Sequence, residues 1–427
     1  MKVFRFNITF HLSIVLIALV GLMCSTPKQT YQNKENIYQK SNQELNALFT
    51  VYHLNDSVSE LYFKIPNENL VYKRPDTTLS FYAACKVKYF LYAEGNTKNL
   101  TDSGSLTFYD RQGKDVFAKT ISSNLYIKAK NGLNYQCEIV VYDLNKRTKH
   151  NFATTIEKTN IHSRQNFRLQ NQKGEILFNY YVNPGDTLTI NSFRNKSVNL
   201  VADYFYREFE LPIPPFIQGQ REVFHYKPDS FFTLTKSSQG FKLIVPPQGF
   251  YHIITEPESK TGISVFASDP VFPGIKNTVD MIKCTRYIMA KKEFETCMNA
   301  GDKKKAIDEF WLDLGGSQER AKTLLKRYYT RVTDANKLFT SYLPGWKTDR
   351  GMIYIVFGAP NNMYKFNGGE TWVYGEETQS YAVRFHFKKV INPFSDNDYV
   401  MERNENYKEA WYRAVDYWRQ GHIYIDN

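Results

Sequence analysis

The sequence predicts a multidomain protein: two antiparallel β-sandwich modules of the immunoglobulin-like (Ig-like) kind, followed by an α+β C-terminal domain. Three observations predict this. The 427 residues are too many for one ordinary core, given about 100–200 residues per domain. The 31 Tyr and 31 Phe against 8 Met favour sheet packing over helical bundles. All 5 tryptophans fall between residues 311 and 418, which marks a region of different composition.

The first 24 residues have the pattern of an export signal. Lys2 and Arg5 precede an apolar run from Leu12 to Met23, and this order is typical of secretory signal peptides. The run is about 12 residues long, short of the roughly 20 that a helix needs to span a bilayer. We therefore predict that residues 1–24 are a signal peptide and that the protein is exported.

Cys24 closes the apolar run and is followed by Ser25 and Thr26. This arrangement resembles a bacterial lipobox, in which the cysteine is acylated and becomes the mature N-terminus. It departs from that pattern at Met23, where a small residue is usual, so cleavage by an ordinary signal peptidase is the alternative. The resemblance implies a lipoprotein anchored through Cys24 in the outer membrane. No acidic run follows Cys24, which favours the periplasmic face over the cell surface.

A polar tether and the first β module follow the signal. Residues 25–45 are polar and are predicted to be the tether. Over residues 46–162, apolar and polar residues alternate with the period of strands, and Asn131-Gly132 is a strong hairpin dipeptide. We assign residues 46–162 to β-sandwich module 1.

A second set of predicted strands occupies residues 163–268, which we assign to β-sandwich module 2. The prolines within residues 211–215 exclude a central strand there, because proline donates no hydrogen bond to the ladder. We interpret that stretch as a sheet edge or a long loop.

Cys85 and Cys137 fall on apolar faces of predicted strands in module 1. Exported proteins can keep disulfides, and an even number of cysteines follows Cys24. Two states therefore stay open for this pair, a disulfide bridge or two buried free thiols.

The C-terminal domain is predicted over residues 270–427. Ser317 is placed to cap a helix whose apolar stripe runs from Leu324 to Phe339 at helical spacing. The run Met352–Phe357 is apolar on both faces and is predicted to be a buried strand. Further strands follow, and Gly421 is placed to end a closing amphipathic helix.

The most distinctive stretch is Pro344-Gly345-Trp346-Lys347-Thr348-Asp349-Arg350-Gly351. Together with Gly358-Ala359-Pro360 and Glu370-Thr371-Trp372-Val373-Tyr374, it resembles the GWxTD-domain proteins. Those are exported proteins, often lipoproteins, found mainly in Bacteroidota and related phyla. The resemblance covers residues 280–427 and implies no established enzymatic activity. It departs from the family pattern at Asn361, where an aspartate is common.

Two interpretations of this motif compete. In the first it is a structural clamp, because Gly345 and Gly351 permit unusual backbone angles and Thr348 can cap backbone N–H groups. In the second, Asp349 is an acid or base with Glu370 as a second carboxylate, or Thr348 is a nucleophile. The candidate site residues are Gly345, Trp346, Thr348, Asp349, Arg350, Gly351, Gly358, Pro360, Glu370 and Trp372.

No metal or cofactor motif is present, so none is predicted. The formal charge of +12 would suggest nucleic acid in a cytoplasmic chain, but export excludes that partner and leaves anionic lipid, lipopolysaccharide, an acidic protein surface or plain solvation. We predict a non-catalytic envelope lipoprotein, a subunit or accessory of an outer-membrane or periplasmic protein assembly. The alternatives are an envelope hydrolase or glycan-modifying enzyme and a glycan-binding module. The sequence leaves the oligomeric state open.

Overall fold

The structure, a computed structural model, describes residues 32–34, 45, 47–77, 80–111, 120–193, 199–219, 221, 224–256, 259–366, 368–376 and 382–423. These residues form five β-sheets and six α-helices, and all six of those helices begin at or after Thr278. A β-rich chain with its helices in the C-terminal part is therefore confirmed. The predicted signal peptide and Cys24 lie outside the described residues. Of the predicted tether, a short strand is described, β1 (Gln32–Lys34).

The first β region has two sheets that share one hydrophobic core. Its strands are β2 (Leu48–His53), β3 (Val58–Pro66), β4 (Tyr82–Ala93), β5 (Asn96–Arg111), β6 (Thr120–Lys128), β7 (Asn134–Asp143) and β8 (Thr148–Glu157). The sheet orders are β2-β3-β6 and β5-β4-β7-β8, and every pair in them is antiparallel. Alternate residues of β4, such as Val87 and Leu91, are fully buried in the core.

The disulfide interpretation of Cys85 and Cys137 is wrong. Cys85 lies opposite Asp143, whereas Cys137 lies opposite Leu91, six residues further along β4. Six strand residues span about 20 Å at about 3.3 Å each, whereas the Cα atoms of a disulfide lie about 4.4–6.8 Å apart. Both side chains are buried free thiols.

The second β region also has two sheets around one core. Its strands are β9 (Phe167–Gln170), β10 (Tyr181–Val182), β11 (Thr187–Ser192), β12 (Leu200–Phe205), β13 (Ser230–Leu234), β14 (Lys236–Ser237), β15 (Gly240–Ile244), β16 (Phe250–Ile254) and β17 (Ile263–Ala267). The sheet orders are β10-β17-β16-β12-β13 and β14-β15-β11-β9. The expectation of purely antiparallel sheets is corrected at one edge, because β10 pairs with β17 in parallel.

The C-terminal domain surrounds a five-stranded sheet with helices. The helices are α1 (Thr278–Thr285), α2 (Lys291–Asn299), α3 (Lys303–Gly315), α4 (Gln318–Phe339), α5 (Asp349–Phe357) and α6 (Tyr407–Arg419). The strands are β18 (Asn362–Phe366), β19 (Gly369–Tyr374), β20 (Val383–Lys389) and β21 (Tyr399–Met401). The sheet order is β1-β18-β19-β20-β21, so the strand from the predicted tether pairs with β18 at the sheet edge.

Both helices predicted from capping and periodicity are confirmed. The Ser317 side chain accepts a hydrogen bond from the Arg320 backbone N–H at the start of α4, and Tyr328 and Phe339 in its stripe are fully buried. Helix α6 buries Trp411 and Trp418. These elements formed as predicted because their signals are local.

The predicted strand over Met352–Phe357 is wrong, because these residues belong to helix α5. Every residue of α5 is buried, so no polar face reveals its period. A short apolar run cannot be assigned to helix or strand by periodicity alone.

The second β region packs directly against the C-terminal domain. The outer face of sheet β10-β17-β16-β12-β13 carries Phe205, Phe250 and Phe266. These rings form one buried cluster with Tyr342 and Phe394 of the C-terminal domain. The ring centroids of Phe205 and Phe250 each lie 5.1 Å from that of Phe394. This sheet is therefore covered on both faces.

A loop between β12 and β13 extends onto the C-terminal domain, and we call residues 206–219 of it the strap. Leu211 and Phe216 of the strap pack against the C-terminal core. The backbone N–H of Asn404 donates to the Pro215 carbonyl at 3.1 Å. The proline-rich stretch contains no strand, as predicted, and it ties the second β region to the domain that follows.

Candidate functional site

The loop at residues 345–351 depends on its two glycines. A Cβ atom on Gly345 would lie 2.0 Å from the carbonyl oxygen of Ala335 in α4. One on Gly351 would lie 1.9 Å from the carbonyl oxygen of Gly345. Real Cβ atoms do not approach backbone so closely, so both positions require glycine for close packing.

Trp346 fixes this loop between two helices. Its indole is buried, its backbone N–H donates to Asn336 Oδ1 in α4 at 3.1 Å, and its carbonyl accepts from the Tyr287 hydroxyl at 2.6 Å. The Gly345 N–H donates to Thr340 Oγ1 at 2.9 Å. These three backbone groups of the loop are therefore hydrogen-bonded to Asn336 in α4, to Thr340 just after α4 and to Tyr287 just after α1.

Thr348 is the N-cap of helix α5. Its Oγ1 accepts from the Gly351 N–H at 2.9 Å and donates to the Gly345 carbonyl at 2.7 Å. The predicted capping role is thus present, but it starts a helix and not a strand. The Thr348 hydroxyl thus makes one donated and one accepted hydrogen bond, both to the backbone of its own loop.

Asp349 holds a buried arginine. Its Oδ1 accepts from Arg403 Nη2 at 2.6 Å, and its Oδ2 accepts from the Met401 N–H at 2.9 Å. The side chains are 6% and 7% exposed. Arg403 Nη2 also donates to the Ile213 carbonyl of the strap at 3.3 Å. Asp349 therefore positions the arginine that fastens the strap.

Arg350 and Glu370 form a second buried pair. Arg350 Nη1 donates to Glu370 Oε1 at 3.1 Å, with exposures of 2% and 1%. Glu370 Oε2 also accepts from the Trp372 indole N–H at 3.0 Å, and Arg350 Nη2 donates to the Asn397 carbonyl at 2.9 Å. The Arg350 guanidinium lies 3.8 Å from the centre of the Tyr399 ring. Burial, and then the Glu370 charge, raise the pKa of Tyr399 to about 12.

Gly358 and Pro360 shape the turn from α5 into β18. Gly358 has a φ of 91°, which disfavours any residue with a side chain. The Tyr374 hydroxyl donates to the Gly358 carbonyl at 2.8 Å, and Pro360 is buried. Asn361 Oδ1 accepts from the Gly375 N–H at 3.1 Å, a bond that a carboxylate at this position would also accept.

The structure thus places the ten candidate residues on α5, the loop before it, the turn after it and strand β19. We call the buried polar contacts of Asp349, Arg350, Glu370 and Trp372 the framework. Its two carboxylates are buried and bound to different arginines, Asp349 to Arg403 and Glu370 to Arg350. A general acid or base must come within hydrogen-bond reach of a substrate proton. The arrangement can orient helices and fasten the strap, which is the clamp interpretation.

A cleft lies beside this framework, between the second β region and the C-terminal domain. Its volume is about 320 Å³, and Trp346 and Lys347 line it, whereas Asp349 and Glu370 do not. Lys347 Nζ donates to the Phe209 carbonyl of the strap at 2.8 Å. Burial, and then the charge of Lys283, lower the pKa of Lys347.

Several of these residues were missed by sequence reasoning. Arg403 stands 54 positions from Asp349, and Asn397 stands 47 positions from Arg350. No local pattern signals such partners. Lys347, inside the motif, was not among the candidate residues.

Across the described ranges, no group of three or more His, Cys, Asp or Glu side chains is placed to hold a metal ion. Among the same residues, no helix combines the length and apolar character needed to cross a membrane.

Comparisons with known proteins give one clear result. A family model described as the GWxTD domain matches residues 249–420. The match begins before the predicted boundary at residue 270, at strand β16 of the second β region. No curated protein matches the chain.

One solved structure, described as a putative beta-galactosidase from Bacteroides fragilis, is similar over 32% of this chain and 19% of that chain. The identity is 16% and the TM-score is 0.18. This chain thus spans only a small part of that protein, and a similarity this low carries no argument about fold or function.

Proposed function

Because this chain is a GWxTD domain-containing protein, we propose that it is a non-catalytic envelope lipoprotein that serves as a subunit or accessory of an outer-membrane or periplasmic protein assembly. One observation carries the proposal: the polar residues of the motif bind the strap and the surroundings of α5, and Asp349 and Glu370 are buried in separate ion pairs. A site built this way supports a rigid scaffold more than it supports chemistry. The hydrolase alternative has no exposed carboxylate at the motif to act on a substrate.

The scaffold proposal includes the finer architecture of the β regions. Each region places two sheets around one core, which is the arrangement expected of β-sandwich modules. We assign both to the Ig-like sandwich kind, with the parallel β10–β17 pair as a local variation. Sandwich modules of this kind commonly serve as binding units on cell surfaces.

Strand β13 is the surface that we assign to a protein partner. Within the described part of the chain it pairs with β12 alone, so its other edge carries unpaired backbone groups. Phe231 on this strand is 72% exposed and Phe232 is 38% exposed. An open edge with aromatic side chains is suited to strand addition by another protein.

The first experiment is affinity purification of the tagged protein from gently solubilised native membranes, with mass spectrometry. We expect a stoichiometric outer-membrane or lipoprotein partner whose recovery falls at least tenfold with Phe231→Ser. Tyr109→Ser is the matched control, because Tyr109 is an exposed aromatic residue on β5, an edge strand of the first β region. Recovery of the protein alone after crosslinking would contradict the proposal.

The anchor is tested separately, by fractionating cells that express Cys24→Ser. A lipoprotein anchored at Cys24 is expected to move from the membrane fraction to the soluble periplasmic fraction in this variant. Ser25→Ala is the control, since it leaves the acylated residue in place. An unchanged distribution of Cys24→Ser would favour cleavage by an ordinary signal peptidase.

A further inference from the structure

The cleft between the second β region and the C-terminal domain has walls of aromatic rings from separate segments. Tyr206 at its rim is 45% exposed, while Tyr181, Phe209 and Phe272 are half-buried. The ring centroids of Tyr181 and Phe272 lie 4.9 Å apart, so these two rings form one continuous apolar wall. Such rings can pack against the apolar face of a ligand.

Charged side chains of both signs stand around these rings. The lining lysines are Lys276, Lys283 and Lys347. The lining acids are Glu208, Asp269 and Asp280. Arg207 also lines the cleft, but its Nη1 lies 2.6 Å from Asp229 Oδ2, so this ion pair adds no net charge.

The balance of charge limits which ligand fits. An ion of either sign would find no excess of opposite charge to offset its loss of hydration. A wholly apolar ligand would strip water from six charged groups and offer them no hydrogen-bonding partner in its place. A neutral molecule with many hydroxyl groups and one apolar face satisfies both the rings and the charged hydrogen-bonding groups. We propose that the cleft is a binding site for a neutral carbohydrate.

Its size sets the length of the ligand. A volume of about 320 Å³ is near the lower end of the roughly 300–1,000 Å³ typical of ligand pockets. One or two sugar rings fit this space, and a longer glycan would extend past Tyr206 into solvent. Domain junctions are a preferred location for such sites. The site is additional to the β13 surface and does not depend on it.

The test is saturation-transfer NMR on the full mature chain with single sugars. The probes are glucose, galactose, mannose, N-acetylglucosamine and their β-linked disaccharides, each added separately. We expect saturation transfer from at least one of them, with a dissociation constant on the order of 1 mM or tighter. Tyr206→Ala and Lys283→Ala are each expected to weaken that binding at least tenfold.

Matched controls are Tyr126→Ala, an exposed tyrosine of the first β region, and Lys322→Ala, an exposed lysine of α4. Both are expected to bind the sugar as the wild type does. Silence from every sugar, or binding retained in both cleft variants, overturns the proposal. Transfer from a panel of tripeptides that is lost in Tyr206→Ala, with the sugars silent, would make the cleft a peptide site and also overturn it. If one variant fails to fold, the wild-type titration still shows whether the protein binds a sugar. The affinity purification tests the β13 surface independently of this result.

Discussion

The two β regions have the same kind of core but different surroundings. Among the described residues, the first β region shares no hydrophobic cluster with the rest and meets the second region through polar contacts. Examples are the ion pair of Glu60 with Arg168 and the hydrogen bond between His162 Nδ1 and Thr255 Oγ1. The second β region instead buries the outer face of its five-stranded sheet against Phe394 of the C-terminal domain and adds the strap. The first β region is thus a packing unit by itself, whereas the second β region is part of a larger unit with the C-terminal domain.

This difference predicts two cooperative units. The first β region should unfold by itself, because its core is complete within residues 45–156. The second β region and the C-terminal domain should unfold together, because separating them exposes the Phe394 cluster and breaks the Asp349–Arg403–strap connection. Every tryptophan lies between residues 311 and 418, so tryptophan fluorescence reports on the second unit alone.

The largest effect is expected from Asp349→Ala. The change leaves Arg403 buried without its counter-ion, a loss that costs about 3–5 kcal/mol in buried pairs. Urea unfolding followed by tryptophan fluorescence should show this loss, while hydrogen exchange of β4 stays unchanged. Asp308→Ala, which removes an exposed carboxylate, is the control and should shift stability by less than about 0.5 kcal/mol. An unshifted tryptophan transition in Asp349→Ala would contradict the clamp.

Phe394→Ala tests the interface between the two parts of the larger unit. Removing this buried ring should cost about 3 kcal/mol and should speed hydrogen exchange in β16 as well as shift the tryptophan transition. Val87→Ala is the counterpart in the first β region, where it should weaken β4 and leave the tryptophan signal unchanged. If Phe394→Ala shifts the tryptophan transition without affecting β16, the two parts do not unfold as one.

His252 makes the larger unit sensitive to acid. Burial lowers the pKa of His252 to about 4, and its ring packs against Phe394 at 5.0 Å between centroids. The unfolded chain binds a proton below its ordinary pKa of about 6.5, whereas the folded chain binds it only near pH 4. The free energy of unfolding therefore keeps its full value above pH 6.5 with respect to this group. Protonation of His252 in the unfolded chain should lower it by about 2 kcal/mol at pH 5.

Unfolding monitored by tryptophan fluorescence at pH 7 and pH 5 measures this loss. Other groups titrate in the same range, so the comparison is with His252→Gln, which has no titrating ring at this position. The variant should lose less stability than the wild type between the two pH values. Equal losses in the two proteins would show that His252 is not the group responsible.

The smallest expected effect concerns the first β region, where a reductant should leave the urea midpoint of unfolding unchanged. Burial raises the pKa of the Cys85 and Cys137 thiols to about 12, so neither forms a reactive thiolate near pH 8. A thiol reagent should label them only as the first β region unfolds, independently of the tryptophan signal. A disulfide would contribute about 2–4 kcal/mol, so a lower urea midpoint in reductant would contradict the assignment of free thiols.

Local patterns in the sequence determined much of this protein. The N-cap Ser317 and its apolar stripe predicted α4, and the order of motifs from Gly345 to Trp372 predicted the family. The β-rich composition predicted the sheets. These features depend on residues within a few positions of one another, or on periodicity within one element, and such information is readable without the fold.

Only the tertiary structure decided how the motif residues are arranged. Met352–Phe357 is buried on all sides, so its sequence has no polar face to show whether it is a strand or a helix. The parallel pairing of β10 with β17 joins segments distant in the sequence, which no local pattern predicts. The sequence favoured clamping over catalysis for Asp349, but its partner Arg403, 54 positions away, was visible only in the tertiary structure. A carboxylate takes its role from the charges and the solvent access around it, and residues distant in sequence supply both.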